Sequence, residues 1–300
     1  MFDSYLGELA ALTTAFFWTV TALAFEAAGR RVGSLSVNVL RLGIGLIFLT
    51  LFSGIFRGAA FPVDATLHAW VWLSASGIVG LVLGDFLLFK AFIILGSRVA
   101  MLIMALVPPM TALMGWLIMG ESLTAMNYLG MVLTLSGIAM VILVRTPGRN
   151  HFKLSRPVSG ILVAVGGAFG QAAGLVLSKY GMGDYDAFLA TQIRIIAGVT
   201  GFCVIIFLAR RWRYVGRALT DRKAIGNITL GAFFGPFLGV SFSLIAIQYT
   251  TTGVAATIMA LVPVLIIAPA VLIFKEKVTL REVLGAVIAV MGVAVLFLWK

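Results

Sequence analysis

The chain has 300 residues, of which 61% are hydrophobic and 11% charged, and it carries a formal net charge of +11. Soluble domains carry about 25% charged residues, and no water-soluble core absorbs this much apolar surface. A bilayer span needs roughly 20 apolar residues, so the length accommodates about ten spans, short connections and no sizeable soluble domain. The basic residues fall in short loops between apolar runs rather than on a water-exposed face, so the charge reports membrane topology and nucleic acid is not expected as a partner. Cys203 is the single cysteine and lies inside an apolar run, which leaves no intramolecular disulfide and no thiolate cluster. His68 and His151, both expected in loops, add no metal site, and nothing points to another cofactor.

The amino-terminal stretch MFDSYLGELAAL contains acidic residues and no basic region, so the first apolar run is expected to be a structural span rather than a cleaved signal peptide. Continuous apolar runs favour membrane helices over barrel strands, which alternate over about ten residues. The pattern predicts spans near 7–27, 35–55, 70–95, 99–119 and 123–144, then near 158–179, 187–209, 224–249, 254–274 and 280–299. Between the two sets, residues 145–157 are polar, basic and proline-flanked, the natural linker between halves 1–144 and 158–300.

The halves are repeats. MALVP at Met104 recurs at Met259, 155 positions later, and the same offset carries Glu121 onto Glu276, Gly130 onto Gly285 and Gly137 onto Gly292. It also carries Ser76, Gly80 and Gly84 onto Gly231, Gly235 and Gly239, while an offset of 153 carries Arg41 onto Arg194 and Glu26 onto Lys179. Five spans per half is an odd number, so the second half enters the membrane from the opposite side. That is the inverted repeat common among secondary transporters. The small-residue strings let helix backbones approach closely where lipid supplies no hydrophobic drive.

With two tandem repeats ending in SRVAMLIMALVPPMTALMGWLIMGESLT and TGVAATIMALVPVLIIAPAVLIFKEKVT, nearly the whole chain resembles the EamA branch of the drug/metabolite transporter superfamily. The resemblance implies an all-α bundle of ten transmembrane helices, with spans one to four and six to nine around a central cavity and spans five and ten outside as a scaffold. It also implies movement of amino acids, other metabolites or toxic compounds, often outward.

Polar groups inside a bilayer are costly, so each is a candidate for function. Arg41, Asp85 and Arg194 lie deepest, Asp85 roughly 5 Å and the arginines roughly 6 Å from the middle of their spans at about 1.5 Å per residue. Arg41 and Asp85 lie toward the same side and are positioned to pair, which is equally the pattern of a structural ion pair. Glu26, Lys90 and Lys179 stand near span ends, from which they can snorkel to water. Trp18, Gln171 and Gln248 complete the candidate substrate-binding set, although a lone tryptophan also serves as an interfacial anchor. Pro108, Pro109, Pro236, Pro263 and Pro269 are candidate kinks or gates, since paired interruptions in two halves point to a transport site, against the alternative of a static bend.

Arg194 is the most informative of these residues. The position equivalent to Asp85 in the second half is Val240, so Arg194 has no partner within its own half. The cavity is wet there, or the other half supplies a partner, or the substrate brings an anion.

A small-molecule substrate and the lipid bilayer are therefore the expected partners, and a secondary transporter in the cytoplasmic membrane is the expected function. A polytopic enzyme would need a deep constellation of acids, histidines or an activated nucleophile, and the chain lacks the phosphate-binding G-x-x-x-x-G-K-[ST] loop. A scaffold or receptor would leave the inverted duplication without a purpose. Proton coupling through Asp85 is a further expectation, opposed by the pairing with Arg41. Sixteen loop lysines and arginines gather at one end against three, Arg57, Lys179 and Lys300, at the other. That imbalance places both termini outside, whereas the resemblance implies termini in the cytoplasm.

Overall fold

A computed structural model describes residues 5–95, 103–142, 158–265, 269 and 280–298. The linker, Glu276 and the residues around it lie outside that set, as does the side chain of Glu26. The described secondary structure is helical. Six helices are long and apolar enough to cross a membrane, and three shorter apolar helices take the places of the fourth, fifth and tenth spans.

The first and second spans, Leu6–Val32 and Ser34–Arg57, are separated by Gly33, whose φ of 79° reverses the chain in a single residue. The third span is composite: Leu67–Ser76, a π-helical segment Gly77–Gly84, then Asp85–Leu95. The fourth is Val107–Met119 and the fifth Ala125–Ile142. In the second half, Val158–Met182 and Ala187–Leu208 form spans six and seven. The eighth repeats the composite pattern as Arg222–Ala232, a π-helical segment Phe233–Gly239, and Val240–Tyr249. Thr252–Met259 and Val262–Leu265 are the described parts of the ninth span, and Leu280–Leu298 is the tenth. Residues 210–223, read from sequence as a basic loop, contain a short helix Trp212–Thr220 whose Val215 and Ala218 are buried. His68, expected in a loop, instead stands in the first turn of the third span.

Side-chain oxygens start several helices. Thr66 Oγ1 accepts from Ala69 N–H in the third span, Asp186 Oδ1 from Phe188 and Leu189 in the seventh, and Asp221 Oδ1 from Lys223 and Ala224 in the eighth. Each satisfies backbone donors that the first turn leaves open.

The small-residue strings set how the spans cross. Ser76, Gly80 and Gly84 of the third span run antiparallel against Ser178, Gly174 and Gly170 of the sixth. Ser76 Oγ lies 2.6 Å from both Ser178 Oγ and the Gly174 carbonyl. A Cβ on Gly174 would lie 2.7 Å from Gly80 Cα, and one on Gly170 would lie 2.8 Å from Gly84 Cα, so backbone meets backbone. In the equivalent pair, Gly231, Gly235 and Gly239 of the eighth span receive Phe25, Thr21 and Trp18 of the first. The fifth and tenth spans pack chiefly on each other at Gly130, Gly137 and Gly292, and they reach the rest of the bundle through the ninth.

Candidate functional site

Four of the residues singled out by sequence converge in the middle of the bundle. Arg41 comes from the second span, Asp85 from the position just after the first π-helical segment, Gln171 from the sixth span and Arg194 from the seventh. Arg41 Nη2 donates to Asp85 Oδ2. Gln171 Nε2 donates to Asp85 Oδ1 at 2.7 Å and to the Gly80 carbonyl at 3.3 Å. Both oxygens of Asp85 are therefore engaged, and the Arg41 guanidinium also lies over the Phe25 ring, 5.5 Å from its centroid. A π-helical turn shifts the register of its carbonyls, which brings Gly80 within reach of Gln171 while its N–H acceptor role toward Asp85 is kept.

Arg194 enters the same space differently. Its main chain packs against Gly77, and its Nη2 sits 3.6 Å from where a Cβ on Gly80 would be, so the absence of a side chain at Gly80 makes room for it. Arg194 is 5% exposed, and its Nε is buried without a hydrogen-bond partner. Asp85 is close enough to act on it electrostatically, but that carboxylate already holds Arg41 and Gln171. Two guanidiniums share one carboxylate, which leaves one net positive charge among the described groups of the centre. Exposing or neutralising an uncompensated buried charge is worth several kcal/mol, about 3–5.

The remaining candidates lie elsewhere. Trp18 is the repeat counterpart of Gln171 at the 153-residue offset, and each faces the last glycine of a π-helical segment, Gly239 and Gly84 respectively. Gln248 is turned toward the 183–186 loop, where Nε2 donates to the carbonyls of Gly183 at 3.1 Å and Tyr185 at 3.4 Å. Lys90 is exposed, in keeping with a snorkelling residue.

Pro108 and Pro109, like Pro263, follow breaks in their spans. A tight turn at Ala105–Leu106, closed by Leu106 N–H to the Ile103 carbonyl at 3.0 Å, precedes Pro108 and Pro109, which occupy the first turn of the fourth span. There the missing N–H costs nothing. The equivalent turn at Ala260–Leu261, closed by Leu261 N–H to Ile258 at 3.1 Å, precedes Pro263. Spans four and nine are thus interrupted at matching places, with the break before the proline. Pro236 lies within the second π-helical segment against Gly45, and Pro269 lies half-buried further along the ninth span.

The end of the bundle that carries Asp64, Asp184 and Asp186 is tied together by groups that the sequence pattern did not bring together. Gly120, at φ 67°, ends the fourth span and folds Glu121 back, with its N–H bonded to the Gly115 carbonyl. The Glu121 carboxylate then occupies the space beside Gly115 and accepts from Thr252 N–H at 2.9 Å and Thr252 Oγ1 at 2.6 Å, capping the ninth span. Lys179 Nζ lies 2.6 Å from Glu121 Oε1 and donates to the Thr250 carbonyl at 2.7 Å. Lys179 therefore does not snorkel to water. Thr250 Oγ1 in turn donates to the buried Glu8 at 3.3 Å. Nearby, Arg57 pairs with Asp186, and Tyr185 donates to Asp64 at 2.8 Å. Burial and that bond push the Tyr185 phenol above its usual range, which keeps it protonated as the donor. At the opposite, basic end, Arg31 holds Asp221 at 3.0 Å.

The fold and this centre define a multi-pass membrane protein of inverted repeats, with buried charge at the crossing of its inner spans. The chain belongs to the EamA-like transporter family, whose pattern it matches over residues 5–143 and again over 158–298. A protein of known crystal structure superimposes with a TM-score of 0.78 at 20% identity, covering 96% of this chain and 94% of that one, a likeness of fold alone. Comparison with curated proteins gives no match. Membership makes the chain a membrane transporter in broad class.

Proposed function

We propose that the chain is a secondary transporter of small acid-bearing metabolites, amino acids and related compounds included, working by alternating access across the cytoplasmic membrane. The observation that carries this reading is Arg194: a buried guanidinium in the middle of the bundle whose Nε has no hydrogen-bond partner among the described residues, beside an arginine that pairs with Asp85. A carboxylate is the group that satisfies it best, because the planar fork binds two oxygens at once. The binding centre lies between the two repeats, where inverted-repeat carriers hold their substrates. The network around Lys179 and Glu121 supports a state shut at the acidic end, with entry from the basic end. The paired breaks at Ala105–Leu106 and Ala260–Leu261 are places where inner spans can flex as the open end changes.

The test is Arg194→Gln in proteoliposomes. The variant is expected to abolish transport of the acid while the protein still purifies as a folded species with a thermal midpoint no lower than that of the wild type. Normal transport by the folded variant would remove Arg194 from the substrate site.

A further inference from the structure

The connection between the seventh and eighth spans stands apart from the central site. Arg210, at φ 53°, turns the chain out of the seventh span, with the next N–H, that of Arg211, bonded back to the Ile206 carbonyl at 3.0 Å. The helix Trp212–Thr220 follows, and Asp221 then starts the eighth span. This short helix presents three different stripes. Val215 and Ala218 are buried where it packs on the first, second and eighth spans. Trp212 and Leu219, seven positions apart and so on one side of the helix, are 46% and 58% exposed. Arg213 and Arg217, one turn apart, are exposed on the side away from the buried pair.

We propose that this helix binds anionic phospholipid, seated at headgroup level with Trp212 and Leu219 toward the acyl chains and Arg213 and Arg217 on the phosphates. It joins the ends of two spans, so it stands at the edge of the membrane, where a helix with apolar and basic stripes meets a partner for each. Topology alone accounts for arginines in a loop, but it gives no reason for an exposed tryptophan and leucine beside them. Charge complementarity makes the lipid an anionic one. Among the described residues neither Arg213 nor Arg217 has an ion-pair partner. The acid within residues 209–224 is Asp221, which is held by Arg31 of the first span and by the N–H groups of Lys223 and Ala224. Arg211 is turned onto the Tyr214 ring, 5.8 Å from its centroid. Arg213 and Arg217 are thus the guanidiniums left facing outward, and a phosphodiester offers each of them two charged oxygens.

The test uses purified full-length protein in dodecylmaltoside, titrated with dioleoylphosphatidylglycerol or dioleoylphosphatidylcholine, with the thermal midpoint as readout. Phosphatidylglycerol is expected to raise the midpoint at lower concentration than phosphatidylcholine. Arg213→Gln and Arg217→Gln should each raise its half-effect concentration about fivefold, and the double variant further, with the lipid-free midpoint unchanged. Lys90→Gln combined with Arg281→Gln removes the same charge from two other exposed positions and should keep the wild-type response. Trp212→Gln combined with Leu219→Gln should weaken the response although every arginine remains. Equal stabilisation by the two lipids, or the same stabilisation by inorganic phosphate, overturns the proposal. So does an equal loss in the Lys90 and Arg281 double variant, which would reduce the effect to general charge, and so does an unchanged response in either the arginine pair or the Trp212 and Leu219 pair.

Discussion

Lys179→Met removes the cation from the acidic-end network while keeping most of its apolar stem. The lysine holds two oxygens, Glu121 Oε1 at 2.6 Å and the Thr250 carbonyl at 2.7 Å. The lysine and glutamate side chains are 24% and 12% exposed, so solvent screens the pair only in part. The hydrogen bond from the charged Lys179 to the Thr250 carbonyl contributes about 1.5–3 kcal/mol, and with the partly screened ion pair the residual exposure puts the loss near the lower end, about 2 kcal/mol. If the network exists only while the acidic end is shut, losing it shifts the equilibrium toward opening by about thirtyfold. Thr257, fully buried more than one turn below Thr252, reports that opening when changed to cysteine in a Cys203→Ser background. Its labelling by a membrane-impermeant thiol reagent from the acidic side is expected to accelerate by about that factor. Glu121→Gln should act similarly, and the double variant should be no worse than the stronger single one, as coupled partners behave. A labelling rate within about twofold of the parent in Lys179→Met would refute the assignment of this pair to closure.

Other consequences are tested more simply. Gly174→Ala places a Cβ 2.7 Å from Gly80 Cα and is expected to cost about 1–3 kcal/mol, seen as a lowered thermal midpoint, whereas Gly216→Ala, inside the Trp212–Thr220 helix, meets nothing within 4 Å and should leave it unlowered or slightly raised. The Asp221 carboxyl is held below its ordinary value of 3.8, first by the Ala224 N–H and then by Arg31. Its folded value is depressed, so its contribution to stability is present above about pH 4 and lost as pH falls through the folded value. Asp221→Asn should therefore flatten the acid limb of a plot of thermal midpoint against pH. Loop charge puts the basic end in the cytoplasm, so a C-terminal reporter active only in the cytoplasm is expected to stay dark, and a bright one reverses the orientation.

The repeat and its central charges were legible because they are properties of spacing. MALVP and the small-residue strings recur at one offset, and that register placed Arg41, Asp85 and Arg194 before any contact was known. The pairing of Arg41 with Asp85 followed from depth alone. The contacts between halves did not. Glu121 and Lys179 are far apart in sequence, and a lysine near a span end reads as snorkelling until its partner is seen. The repeat also hides this pair, since the equivalent positions hold Glu26 and Glu276, two acids that cannot form an ion pair with each other. The π-helical segments left no trace either, because a glycine-rich apolar run such as GIVGLVLG has nearly the same apolar pattern in either helix type. Gln248 looked like a cavity residue because burial in lipid and binding to loop carbonyls at the membrane edge place a glutamine at similar sequence positions.

The most direct test of the central claim is counterflow in proteoliposomes that contain purified wild-type protein. Vesicles preloaded with an unlabelled acid are diluted into a trace of the same acid in labelled form. An alternating-access carrier with one central site predicts transient accumulation of label inside, faster than into empty vesicles and absent in Arg194→Gln. Entry of label at a rate indifferent to the internal acid, with folded protein in the membrane, would contradict the account.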